Sequence, residues 1–237
     1  FEQAREELEE PKVEVFFNST GTREGNQRDL KPSEFLVERI DAAQSTLEIA
    51  GYGFEKANIA EAVVRAHDRG VDVRFVGDST HMDAYGYQRI LEEHIPSQFG
   101  NQFNIMHNKF FIIDDRFVFT GTGNLTPTGF ERNNNHWVWI ESKPIARDFT
   151  SEFEQMYNGS FSASKTRQNK NNTFQVGNTK VEVYFAPQER AMTRIIQEVN
   201  EVDTKSAREC VHPKASGVDA EKPRVRCSER GLPVGLA

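Results

Sequence analysis

The sequence predicts an α/β fold, a mixed β-sheet flanked by helices on both faces. Two observations carry that expectation. Short runs rich in Val, Ile and Phe alternate along the chain with segments whose apolar residues recur at helical spacing. Two such runs, Phe110 to Ile113 and Phe117 to Phe119, are separated only by Asp114, Asp115 and Arg116, the composition of a hairpin turn. The succession strand, helix, strand, helix, strand calls for crossover helices packed on a sheet.

Residues Phe1 to Glu10 form a charged, helix-prone stub ended by Pro11, and Lys12 to Phe17 alternates as a strand. Asn18 to Lys31 is a polar loop. Pro32 to Ala43 has helical spacing at Phe35, Leu36, Ile40 and Ala43, with Pro32 suited to a first turn. Thr46 to Ala50 is the next strand, Ile59 to Asp68 the second helix, and Val71 to Val76 a valine-rich strand. A short helix is expected from Tyr85 to Glu93, a strand at His136 to Glu141, and a helix at Pro144 to Tyr157 with Ile145, Phe149, Phe153 and Met156 on one side. His81 and His94 lack partners at metal-ligand spacing and read as exposed loop histidines.

The chain has 237 residues, 37% of them hydrophobic, enough for one large domain or a domain plus a piece. A formal charge of -7 argues against indiscriminate nucleic-acid binding, which needs clustered Lys and Arg, but leaves room for a basic cleft. No run of eighteen apolar residues is present to span a membrane. The chain opens on Phe1, which reads as a processed or trimmed start compatible with export or a bacterial envelope; the compartment is left open. The two cysteines, Cys210 and Cys227, make no metal-type cluster.

The chemistry concentrates between Ile105 and Asn124. His107 and Lys109, two residues apart at the start of an apolar strand, would project from one face and address one anion together. The hairpin would return the turn Gly121-Thr122-Gly123-Asn124 to the His107 end. His-x-Lys, four residues, Asp, and then Gly-Thr-x-Asn resembles the HKD signature of the phospholipase D superfamily. The match runs through His107, Lys109, Asp114, Gly121 and Asn124, and the flanks from about Lys12 to Phe161 share the likeness.

The resemblance implies a phospholipase D/nuclease-like fold and a metal-independent phosphodiesterase that passes its phosphoryl group through a phosphohistidine. It also implies two HKD motifs brought together, one histidine attacking and the other protonating the leaving group. On the residues themselves, a neutral imidazole attacks phosphorus, and His107 is the nucleophile beside Lys109 and the amide of Asn124. No carboxylate cluster for a divalent cation is evident beside the motif, and no cofactor is expected. Asp114, at an odd offset from His107, reads as a turn or salt-bridge residue, and Gly121 and Gly123 as allowing close backbone approach to phosphate or simply serving the hairpin.

The sequence departs from that pattern twice. It holds one motif, so full activity would require a homodimer, a partner chain or the missing half. Where the family places an acidic residue to orient the histidine, this chain has Asn135, with Glu131 as a substitute. Nucleic acid is favoured slightly as substrate, because no amphipathic membrane helix is seen; the alternatives are a phospholipase D or phosphatidyl transferase acting on phospholipids and a truncated, catalytically incomplete phosphate-binding remnant.

Lys180 to Phe185 nearly copies Lys12 to Phe17, and Gln188 to Val202 supplies a following helix, the expected opening of a second repeat. Domain boundaries follow: residues 1–161 a phospholipase D-like domain, 162–179 a linker, 180–205 an unfinished second repeat, and 206–237 a divergent tail, read as a truncation or frameshift product. The stretch Asn158 to Asn178 reads as linker, with Lys165, Arg167 and Lys170 solvated. Exposed apolar surface is expected where a second half would dock.

Overall fold

The computed structural model describes residues 12–18, 32–100, 105–168 and 171–201. The expectations for the N-terminal stub, most of the loop after Asn18, Lys170, and the tail with its two cysteines lie outside the described residues.

Seven strands make one sheet in the order β1 (Val13–Phe17), β7 (His136–Glu141), β6 (Phe117–Gly121), β5 (Lys109–Ile113), β2 (Thr46–Gly51), β3 (Asp72–Asp78) and β4 (Ser97–Gly100). Only β2–β3 and β3–β4 pair in parallel; the other neighbours are antiparallel, so the sheet is mixed as the sequence predicts. Both parallel pairs are joined by helices, α2 (Ala57–Asp68) and α3 (Tyr85–Glu92), as that geometry demands.

Alternation along each strand sorts the core into two layers. Ile49, Phe75, Phe111 and Phe119 face α2, α3 and α1 (Pro32–Asp41) in one cluster. Ala50, Val76, Phe110 and Val118 face α5 (Lys143–Tyr157), which buries Ile145, Phe149, Phe153 and Met156 against them. Ser142 caps this helix, accepting from the Ile145 N–H, with Pro144 in its first turn.

Two elements packed with the main sheet, a strand and a helix, were not expected. β4 reads as polar in sequence, yet its backbone finds partners on the edge of β3. Helix α4 (Pro127–Glu131) is announced only by Thr126, whose hydroxyl accepts from the Gly129 N–H at 2.9 Å, and by Pro127 behind it. Its Phe130 stacks on Trp137 at 4.1 Å and 5°.

The stretch expected as a linker is structured in part. Thr173–Val176 forms β8, paired antiparallel with β9 (Thr179–Glu182) in a separate two-stranded sheet. Lys165, expected to be solvated, is buried and pairs with the buried Glu152 of α5, while its ammonium also donates to the Ala186 carbonyl at 3.1 Å. A carboxylate on the packed face of a helix needs such a cation. The copy of the first strand keeps strand pairing only through Glu182; Val183 to Phe185 continue as irregular chain against the core. Beyond them, α6 (Ala191–Glu201) leaves Met192, Ile196 and Val199 53–67% exposed.

Candidate active site

Strand β5 begins at Lys109, so His107 lies on the extended segment that leads into it rather than on the sheet. The reason is local. The Met106 N–H is turned away from any ladder and donates to the Asp78 carboxylate at 2.6 Å, and pairing starts only at the motif's lysine. Register sets Lys109 opposite Gly51, the last residue of β2. The chain leaving β2 therefore delivers Tyr52 and Gly53 beside the motif.

Lys109 is buried and bends back, its Nζ donating to the His107 carbonyl at 2.6 Å. The ammonium also lies 5.6 Å from the centre of the Tyr52 ring. Tyr52 meets His107 edge-on at 4.8 Å and His81 edge-on at 4.4 Å. One phenol ring thus touches the ammonium and both imidazoles. His81 is half-buried rather than exposed, because the short helical turn after β3 folds it onto Tyr52.

Asn124 is held at the same end of the sheet. Leu125 bridges to Phe54, its N–H donating to the Gly53 carbonyl at 2.9 Å, which brings the Asn124 side chain against Gly53. Its Oδ1 is buried with no hydrogen-bond partner among the described residues.

Asp114 sits at the other end of β5, beyond Ile113, which pairs with Leu47. In a left-handed conformation (φ 53°), its carboxylate accepts from the N–H groups of Gln44, Ser45 and Thr46 at 2.7–3.2 Å. The motif's acid thus ties the hairpin turn to the start of β2, a strand's length from Lys109. Gly121 and Gly123 clear the ring of Trp137. A Cβ on Gly123 would fall 2.4 Å from that ring, and one on Gly121 would lie 2.3 Å from the His136 carbonyl. Packing against β7 accounts for both glycines.

The two candidates for orienting the histidine are occupied elsewhere. Asn135 donates to the Gly129 carbonyl at 2.8 Å and accepts from the Thr122 hydroxyl at 3.1 Å. Glu131 pairs with Lys56 at the start of α2.

Burial pushes the pKa of Lys109 down to about 8. Burial, and then the Lys109 charge, lower that of His107, while Asp78 opposes them. The site therefore favours a neutral imidazole beside an ammonium that is still charged at neutral pH. Among the described residues no group of three or more His, Cys, Asp or Glu converges as metal ligands.

A cleft of about 250 Å³ opens beside the motif. Its lining includes His107 and Lys109, the apolar Phe110, Phe149, Met156 and Phe161, the ammonium-bearing Lys165, and the segment Val183 to Pro187.

The architecture is that of the phospholipase D/nuclease fold, with its motif at one end of the central strands. The chain belongs to the phospholipase D superfamily: the family model for the cardiolipin synthase, PLD-like domain matches residues 36–157, just over half of it. Mitochondrial cardiolipin hydrolase of Mus musculus is 30% identical over 124 residues, 52% of this chain and 56% of that protein. A phospholipase D of Rickettsia conorii is 29% identical over 123 residues, 49% of this chain and 60% of that one. The match thus spans little more than half the length of these relatives. Among solved structures, Nuc from Salmonella typhimurium, a phospholipase D family member, superposes with a TM-score of 0.53 and 27% identity over 63% of this chain and 95% of its own. NucT from Helicobacter pylori has the same TM-score at 23% identity, over 63% of this chain and 98% of its own, and shares the fold.

Proposed function

We propose that the chain is a metal-independent phosphodiester hydrolase that works through a phosphohistidine on His107. A ring nitrogen of His107 attacks phosphorus, the P–N bond forms, and the P–O bond to the leaving group breaks. Water then attacks the phosphohistidine and frees the imidazole. Lys109 and Asn124 act on the non-bridging oxygens as charge accumulates there. The observation that carries this reading is the buried Lys109 ammonium, fixed to the His107 backbone and lying beside the Tyr52 ring that also meets His107.

The leaving alkoxide needs a proton, and the second His107 of a homodimer, or a histidine of a partner chain, supplies it in this reading. The exposed apolar side chains of α6 support self-association.

The cleft favours a phospholipid diester over nucleic acid. Its lining sets aromatic and aliphatic side chains beside His107 and Lys109, which suits a hydrocarbon arm attached to the reacting phosphate. The net charge of -7 points the same way, and so do the relatives named cardiolipin hydrolase and phospholipase D.

The test incubates the purified chain with phosphatidylcholine, cardiolipin and single-stranded DNA in EDTA, beside a His107→Asn variant. EDTA-insensitive release from lipid that vanishes in the variant supports the proposal. Turnover of DNA alone moves the substrate to nucleic acid, and a protein inert on all three is a phosphate-binding remnant.

A further inference from the structure

The acidic partner that the family pattern places after the motif is replaced here by Asn135, which cannot stabilise an imidazolium by charge. Asn135 and Glu131 are both committed to bracing the turn. A different carboxylate comes within reach of the motif. Asp78 ends β3, is fully buried, and takes part in no ion pair among the described residues.

Its hydrogen bonds aim it at the motif. One oxygen accepts from the Thr80 N–H at 2.9 Å and from the Thr80 hydroxyl; the other accepts from the N–H of Met106, the residue before His107, at 2.6 Å. The Asp78 N–H donates to the Tyr87 hydroxyl at 2.6 Å, and that hydroxyl donates to the Gly51 carbonyl at 2.7 Å. The ends of β2 and β3 and the segment entering β5 are thus joined at Asp78. A buried carboxylate without a cation is costly to keep, which marks it as a candidate for function.

We propose that Asp78 is a positioning residue for His107, fixing the segment that carries it and supplying the negative charge that Asn135 lacks. The inference rests on His107 as nucleophile. Attack on phosphorus leaves the ring cationic, and a fixed anion nearby stabilises that state. The groups that bear on His107 are Lys109 from β5, Asp78 from β3, Tyr52 from the end of β2, and His81 behind Tyr52. Burial and Lys109 disfavour the charged ring, and Asp78 is the group that favours it.

The test is Asp78→Asn in the full chain, which keeps an oxygen for the Met106 N–H and deletes the charge. Ring NMR titration, with His107 assigned by its absence in His107→Asn, is expected to move to lower pH. Diester turnover is expected to fall about 10–100-fold. A titration midpoint that stays put overturns the inference, whatever happens to the rate, because a purely structural acceptor would leave it unmoved. Should Asp78→Asn not fold, Thr80→Val removes one donor and leaves the charge less neutralised. The His107 midpoint then rises, and an unmoved midpoint again overturns the inference. The titration needs no substrate, so a wild-type protein inert on diesters defeats the proposed activity separately.

Discussion

Lys109 donates to the backbone carbonyl of His107 at 2.6 Å, closing the His-x-Lys motif on itself. The carbonyl and the Tyr52 ring hold the ammonium while burial works against its charge. That tension sets a pH range for function. Below about 8 the ammonium is charged, and above it the cation is lost. The lowered pKa of His107 leaves its ring neutral down to pH values below the ordinary imidazole range. Activity should therefore show an acid limb as the attacking ring is protonated, and an alkaline fall in which loss of the donating histidine's proton is followed by a further step near 8, where the Lys109 charge is lost. Lys109→Arg, charged throughout, should carry that step upward in a kcat/KM profile. A step that stays in place assigns it to another group.

The same lysine makes stability and function oppose each other. Its folded pKa lies below its unfolded value, so the unfolded chain binds more protons between about 8 and the ordinary lysine range, and stability rises with pH through that window. Lys109→Met should raise the thermal midpoint at pH 7 and abolish turnover. A lower midpoint would mean that the bond to His107 outweighs the burial of the charge.

Tyr52 presents its ring, rather than its hydroxyl, to the motif. Tyr52→Phe should leave turnover within about twofold. Tyr52→Ala should reduce it roughly 10-fold, as expected for one aromatic and one cation–π contact. Steady-state rates on folded protein decide; equal losses in the two variants would give the hydroxyl the role.

Asp114 belongs to the motif in sequence and to the scaffold in space. Burial opposes its ionisation, but the N–H groups of Ser45, Gln44 and Thr46 win, and they hold its pKa below the ordinary carboxylate value. Its contribution to stability is present above that ordinary value and is lost as pH falls through the lowered one. Asp114→Ala should destabilise the fold by about 1–3 kcal/mol in denaturant titrations, with the acid-side loss of stability reduced. Turnover per folded molecule should be nearly unchanged, and a selective loss of rate would give Asp114 a direct part in the reaction.

Much of the scaffold was legible because local pattern and tertiary role agree. The apolar run His136–Glu141 is a strand with those bounds, and the spacing of Phe35, Leu36 and Ile40 is the buried face of α1. β4 was missed because Ser97 and Gln98 are polar and it is held by the edge of β3 alone. Lys165 was misread because its partner Glu152 comes from α5, thirteen residues back. Within the site, His107, Lys109 and Asn124 could be read from spacing. Tyr52, His81 and Asp78 could not, since they converge from the ends of β2 and β3, and no local pattern marks that meeting. The cleft is a tertiary object too, lined in part by Val183 to Pro187, beyond the residues that match the family.

The central claim is that His107 carries the phosphoryl group. Rapid quenching of the enzyme with a phosphorus-labelled diester, followed by peptide mass spectrometry under alkaline conditions that preserve phosphoramidates, tests it most directly. The account predicts label on His107 in the presence of EDTA and none in His107→Asn. Turnover with no label on His107, or label on another residue, would contradict it.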